Sequence, residues 1–193
     1  MIWLVNLVDR FVLDADDLAS ARGLAVGVGL TGAEAAMSCL TACRVLGEAA
    51  DDPEGLILAL DGLSGLTATE AIGALVARCF AAVRVDYPSR QDAQAGRAAL
   101  SAAAEPVYGA AGTEAGPDVL AFVVRLVGQA ATEISAIAAT RSPLVRVETG
   151  VSLPSSLLAW DLYGDPDRGR ELVQRNRTGT SMVMPIVLEA LAS

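Results

Sequence analysis

Three thiols and one acidic cluster are the groups whose type and spacing suit chemistry. Cys39 and Cys43 stand four residues apart, which on a helix places both on one face, and Cys79 is a third thiol. A zinc site would have to rest on these three with carboxylates. Free cysteine packs as a small hydrophobe, so the expectation is three buried structural cysteines. Asp161, Asp165, Asp167 and Glu171 crowd one short stretch and have the chemistry to hold a divalent ion. Arg168, Arg170, Arg175 and Arg177 stand among them at three- and four-residue spacing, so a charge-balanced face of ion pairs is expected instead. Ser155 and Ser156 have no histidine to activate them. All 14 basic residues are arginine. Without His, the commonest general base and metal ligand are missing; without Lys, Schiff-base chemistry and a P-loop are ruled out. No catalytic residue, metal or cofactor is expected, and the sequence reads as non-enzymatic.

The elements that position these groups are read as helices. Hydrophobic residues make up 53% of the 193 residues and aromatics only 4%, so the core must be built from Ala, Leu and Val. Such a composition has high helix propensity and lets helices approach closely. The expected class is mainly α: a multi-helix bundle with a small C-terminal helix-turn-helix module and at most a short β segment. The expected domains are an Ala-rich helical bundle over 1–142 and a helix-pair docking module with a tail over 143–193.

Trp3, Leu4, Leu7, Val8, Phe11 and Val12 form a helical stripe within a first helix from Ile2 to about Ala21. The run is too short and too charged for a signal sequence. The glycine-rich stretch Gly23, Gly27, Gly29, Gly32 lacks the strand and the Lys-Ser or Lys-Thr of a nucleotide motif, and reads as a connection or a close helix approach. Thr31 or Gly32 opens the next helix, Asp52-Pro53-Glu54 starts a short one, and Thr67 with Glu70 is a capping-box signal for another. A helix from Arg90 is expected to end at Glu105-Pro106, with a loop from Gly109 to Pro117. A long helix, Asp118 to about Thr140, turns Val119, Phe122, Val123, Leu126, Val127, Ala130, Ile134 and Ile137 inward. Arg125 and Glu133 break its apolar run, as other charges break the remaining ones, so no membrane span is expected. Three cysteines point to folding in a reducing compartment. The net charge of −9 argues against a broad nucleic-acid-binding surface. The excess apolarity points to subunit contacts and oligomerisation.

Near the end, Leu144 to Thr149 alternates as a short strand would, and the stretch from Leu153 to Arg177 reads as two helices around a Gly164-Asp165-Pro166 corner. The pair is expected to bury Leu157, Leu158, Trp160, Leu162, Leu172 and Val173. An apolar tail follows, with Met182, Val183, Met184, Pro185 and Ile186, and only a weak second strand over Val183 to Leu188. Tyr87-Pro88-Ser89-Arg90-Gln91-Asp92-Ala93 with Arg97 and Leu100, then Leu153-Pro154-Ser155-Ser156-Leu157-Leu158-Ala159, Leu162-Tyr163-Gly164-Asp165-Pro166-Asp167-Arg168 and Glu171-Leu172-Val173-Gln174-Arg175-Asn176-Arg177, follow one another in order. From Tyr87 onward the sequence resembles the C-terminal helical region of the DNA circularization proteins of Mu-like phages, a tail and baseplate family. It departs after Arg177, where Thr178-Gly179-Thr180-Ser181 replaces a His-Pro and Pro-Gly-Gly exit, and no counterpart of the family's β-rich N-terminal domain is expected in it.

The resemblance implies a virion structural protein at or near the baseplate hub and tail tube, assembled in the host cytoplasm and acting in tail assembly and DNA delivery through protein–protein contacts. Its implied partners are other tail or baseplate proteins (hub, tube or a separate β-domain protein) and further copies of itself. The expected docking residues are Trp3, Leu7, Phe11, Leu157, Trp160, Tyr163, Leu172, Met182 and Met184. Arg168, Arg170, Arg175 and Arg177 are where DNA or an acidic partner would be met. A DNA-binding protein that helps circularise or protect injected DNA is the alternative. A further reading takes Tyr-Gly-Asp and a helix ending in Asn as similar to the LysM-like modules of tail proteins, some of which touch peptidoglycan.

Overall fold

The structure, a computed structural model, describes residues 2–27, 30 and 32–192. Among these, 71% are helical, in nine α-helices, and a single two-stranded sheet completes the secondary structure. The mainly α, multi-helix class expected from the Ala- and Leu-rich composition is the class observed. Two compact units divide the chain, one of Met1–Asp86 and Gln94–Ala136, the other of Tyr87–Ala93 and Ile137–Ser193. The last passage from one unit to the other follows Ala136. What the linear reading missed is that Tyr87–Ala93 belongs with the C-terminal unit.

In the first unit, α1 (Ile2–Phe11) and α2 (Ala15–Val26) replace the single N-terminal helix expected. Asp14 makes the break: its carboxylate accepts from the backbone N–H groups of Asp16 and Asp17, at 3.0 and 3.1 Å, and so caps a new helix. Gly23 lies inside α2, and Gly27 ends it at φ 51, a backbone conformation that costs glycine little. Gly29 and Thr31 lie outside the described residues. Next come α3 (Gly32–Ala49) and α4 (Pro53–Asp61), the latter capped by Asp52. α5 (Ala68–Ala82) opens with the expected capping box, in which Thr67 and Glu70 bond each other's backbone N–H groups. The Thr67 backbone N–H holds the Glu70 carboxyl below its ordinary range, and Trp3 donates its indole N–H to the same carboxylate at 3.0 Å.

The crossing of α3 and α5 is made of small residues. A Cβ on Gly47 would lie 2.5 Å from the Ala77 carbonyl oxygen, and one on Gly73 would lie 2.8 Å from Cys43 Sγ. Cys39, Cys43 and Cys79 are all buried, as expected of structural cysteines. Burial pushes the Cys79 thiol up to about 12; the hydrogen bond that the Cys43 thiol gives to Cys39, together with burial, raises Cys43, and the same bond lowers Cys39.

The expected stop at Glu105-Pro106 does not occur. α6 (Arg90–Ala110) runs through Pro106 and into a π turn, Ala111–Ala115, which occupies most of the expected loop. Pro106 costs the helix one hydrogen bond, to the Ala102 carbonyl. Burial of Val107 and Ala111 beyond it favours continuing the helix. α7 (Pro117–Thr140) buries Val123, Val127, Ala130 and Ile134 as expected, and partly buries Val119, Leu126 and Ile137. Phe122, expected inward, is exposed. By length and composition α7 is long and apolar enough to cross a membrane, and 22% of its most apolar window is buried.

The second unit adds β1 (Leu144–Glu148), α8 (Ser155–Tyr163), a 3-10 turn at Pro166–Arg168, α9 (Gly169–Arg175) and β2 (Val187–Leu191). The strands pair antiparallel, Arg146 opposite Glu189 and Val147 opposite Leu188. The tail is therefore no free docking arm. Its end is a strand that starts four residues later than the expected Val183–Leu188 and overlaps it at Val187 and Leu188, and it closes a β–α–α–β unit on its own β1.

Candidate functional site

The second unit is built around a core of Leu158, Ala159, Leu172, Met184, Leu188 and Ala190. α8 and α9 meet closely, since a Cβ on Gly169 would lie 3.0 Å from the Ser155 carbonyl carbon. The corner between them is the one read from the sequence. Gly164 takes φ 70, and the Asp165 carboxylate accepts from the Asp167 N–H at 2.9 Å. Across the unit, the segments 149–155 and 181–186 are stitched by backbone bonds. Thr149 N–H donates to Ile186 O, Met184 N–H to Leu153 O, and Ser155 N–H to Ser181 O, at 2.9, 3.0 and 2.7 Å.

Side chains from the motif residues hold the sheet. Asn176 Nδ2 donates to the carbonyls of Leu172 and Glu189, both at 2.9 Å, and its Oδ1 accepts from the Glu189 N–H at 2.8 Å. Tyr163 Oη accepts from the Leu191 N–H at 3.0 Å. These bonds cap the outer edge of β2, which would otherwise present unpaired groups. On the other side, Gln91 binds Leu144 twice: its Oε1 accepts from the N–H at 2.8 Å and its Nε2 donates to the carbonyl at 3.3 Å. Arg90 N–H donates to Ser142 O at 3.1 Å, and Arg175 Nη1 lies 3.8 Å from Asp92 Oδ2. The blocks 87–93 and 153–177 thus fold as one unit.

Asn176 also ends α9, and Arg177 follows it at φ 50. Arg177 N–H donates to Gln174 O and Thr178 N–H to Val173 O, both at 3.1 Å, the paired bonds of a Schellman motif with arginine where glycine is usual. The Arg-Asn-Arg exit is thus a helix stop.

The candidate residues sort by exposure. Leu7, Phe11, Leu172 and Met184 are buried in the chain's own cores and have no surface to offer a partner. Trp3 and Tyr163 are partly buried, and both are engaged by hydrogen bonds. Burial raises the Tyr163 phenol. Leu157, Trp160 and Met182 are exposed, at 45%, 57% and 68%. The expected burial of Leu157 and Trp160 is therefore corrected: α8 turns Leu158 and Ala159 inward and leaves Leu157 and Trp160 outside. Val151, Val183 and Ile186 are exposed as well, on the two stitched segments.

Among the arginines, Arg168 grips Glu171 Oε2 through Nε and Nη2, at 3.0 and 2.8 Å, and stacks 3.7 Å over the Tyr163 ring. Arg175 lies between Asp92 and Glu171 with its side chain 10% exposed. Arg170 and Arg177 have no ion pair among the described residues. Arg175, Asn176 and Arg177 line a cleft of about 480 Å³ with Arg146 and Glu189. Among the described residues no three ligating side chains gather as a metal site would require. In the first unit, Met37, Leu40, Val76, Phe80, Val119, Phe122 and Leu126 line an apolar groove of about 440 Å³ on α3, α5 and α7.

No protein-family model and no curated protein matches the chain.

Proposed function

We propose that this chain is a non-enzymatic structural component of a phage-type tail or baseplate, acting in tail assembly and DNA delivery through protein–protein contacts. The supporting observation is that two motif blocks, Tyr87–Ala93 and Leu153–Arg177, fall in one unit, with Asp92 beside Arg175 and Gln91 bonded to Leu144 of β1. These blocks carry the resemblance to the Mu-like DNA circularization proteins. Their residues do structural work here: Gln91, Tyr163 and Asn176 bond the strands, and Gly164 and Asp165 make the corner. The exposed Leu157, Trp160 and Met182 are the docking surface left once the core has formed. Partners are other tail proteins, with several copies of this chain in the particle.

Changing Leu157, Trp160 and Met182 to serine tests the reading. Because these side chains are exposed, the fold should lose at most about 1 kcal/mol per substitution by urea unfolding. Incorporation into purified particles should fall sharply. Normal incorporation would remove this surface from the account.

The β–α–α–β order favours a second reading, a LysM-like module that contacts peptidoglycan. Such modules bracket two helices with two strands, and β1 and β2 bracket α8 and α9 in that way. Co-sedimentation with purified sacculi separates the readings: protein in the pellet supports glycan contact, and protein left in the supernatant supports protein docking alone. DNA binding is less well supported, because Arg168 and Arg175 are held by carboxylates.

A further inference from the structure

β1 has an open edge, and its register is written in its charges. Asn176 bonds both backbone groups of Glu189, so the Arg146–Glu189 pair exchanges no ladder bonds. Alternation along the strand then turns the N–H and C=O of Leu144, Arg146 and Glu148 away from β2. Leu144 is covered by Gln91. The outward groups of Arg146 and Glu148 have no partner among the described residues.

We propose that this edge adds a strand from a second copy of the chain, antiparallel, about a two-fold axis at Val147. In that register Arg146 faces Glu148 of the second copy, and Glu148 faces its Arg146. Both pairs join outward-facing residues, so each exchanges two backbone hydrogen bonds, four in all, and each sets opposite charges side by side. An axis at Arg146 opposes two arginines and requires Leu144, which Gln91 already covers. An axis at Glu148 opposes two glutamates. Only the Val147 register uses the two open residues and satisfies both charges. Within one chain Arg146 Nη2 and Glu148 Oε1 are 3.3 Å apart, with the side chains 71% and 69% exposed, so they are free to exchange partners. Val145, 40% exposed on the core-facing side, gains cover from the added strand. The result is a four-stranded sheet with both outer edges capped by Asn176 and Tyr163. This interface goes beyond the tail reading and stands apart from it, since a monomeric chain would leave that reading's particle assay unaffected.

Sedimentation equilibrium over rising micromolar concentrations of the full chain tests it. The chain should self-associate as a dimer. Arg146→Glu and Glu148→Arg should each weaken association by about tenfold or more, since each turns two attractive pairs repulsive. The double variant should restore it. Both side chains are exposed, so circular dichroism should show all three variants folded. Hydrogen exchange gives an independent readout: the amides of Arg146 and Glu148 should gain protection with concentration, while Val145 and Val147 stay unchanged. A chain that remains monomeric, single variants that dimerise like the parent, or a double variant that fails to recover would each overturn the proposal.

Discussion

Gly47→Ala is expected to destabilise the first unit by about 3 kcal/mol, toward the upper end for one added methyl in a packed interior. The new Cβ would lie 2.5 Å from the Ala77 carbonyl oxygen and 2.8 Å from Phe80 Cβ. Neither neighbour is the flexible end of a side chain, so α3 and α5 must separate. Separation also loosens Gly73 from the Cys43 sulfur, so the cost spreads along the crossing. Gly128→Ala is the control. Gly128 is a helical glycine in α7 with nothing within 4 Å of its Cβ position, and alanine there should stabilise by about 0.5–1 kcal/mol. Urea unfolding should move the midpoint down for the first variant and up for the second. Equal behaviour would mean that α3 and α5 do not cross as closely as described.

Asn176→Ala should cost roughly 2–4 kcal/mol, from three lost hydrogen bonds and a backbone N–H and carbonyl left unsatisfied. The loss should be local: exchange should quicken across Val187–Leu191 and Leu144–Glu148, with α1 to α5 unaffected. Asn176→Asp separates hydrogen bonding from size. It keeps the acceptor for the Glu189 N–H but sets a carboxylate against the carbonyls of Leu172 and Glu189, so it should be destabilised as well. A well-tolerated Asp would show that donation from Nδ2 contributes little.

Local signals were the legible part of this fold. Thr67 and Glu70, the Gly164-Asp165-Pro166 corner and the start of α4 at Pro53 are each decided by side chains within a turn of the backbone they satisfy. Such chemistry survives any tertiary context. Asp14 carries the same kind of signal, and the apolar stripe running past it hid the break between α1 and α2. β2 was only faintly legible, as a weak strand over Val183 to Leu188, because Val187–Leu191 becomes a strand only through a β1 some 40 residues earlier and through Asn176 and Tyr163 on its far edge. Gln91 gave no signal at all: its role depends on Leu144, 53 residues away.

The buried face of α8 was misread for a different reason. Its sequence, Ser-Ser-Leu-Leu-Ala-Trp-Asp-Leu-Tyr, is apolar on several sides, so periodicity cannot choose between Leu157 with Trp160 and Leu158 with Ala159. The close approach of Gly169 to Ser155 decides which side is covered. Pro106 shows tertiary burial overriding local propensity, as Val107 and Ala111 carry the helix past it.

The most direct test of the tail-protein account is quantitative mass spectrometry of purified particles from cells that express this chain. The account predicts the chain at a fixed small copy number relative to the major tube protein. Its absence from the particles, with the protein abundant in the cell, would contradict a structural role in the tail.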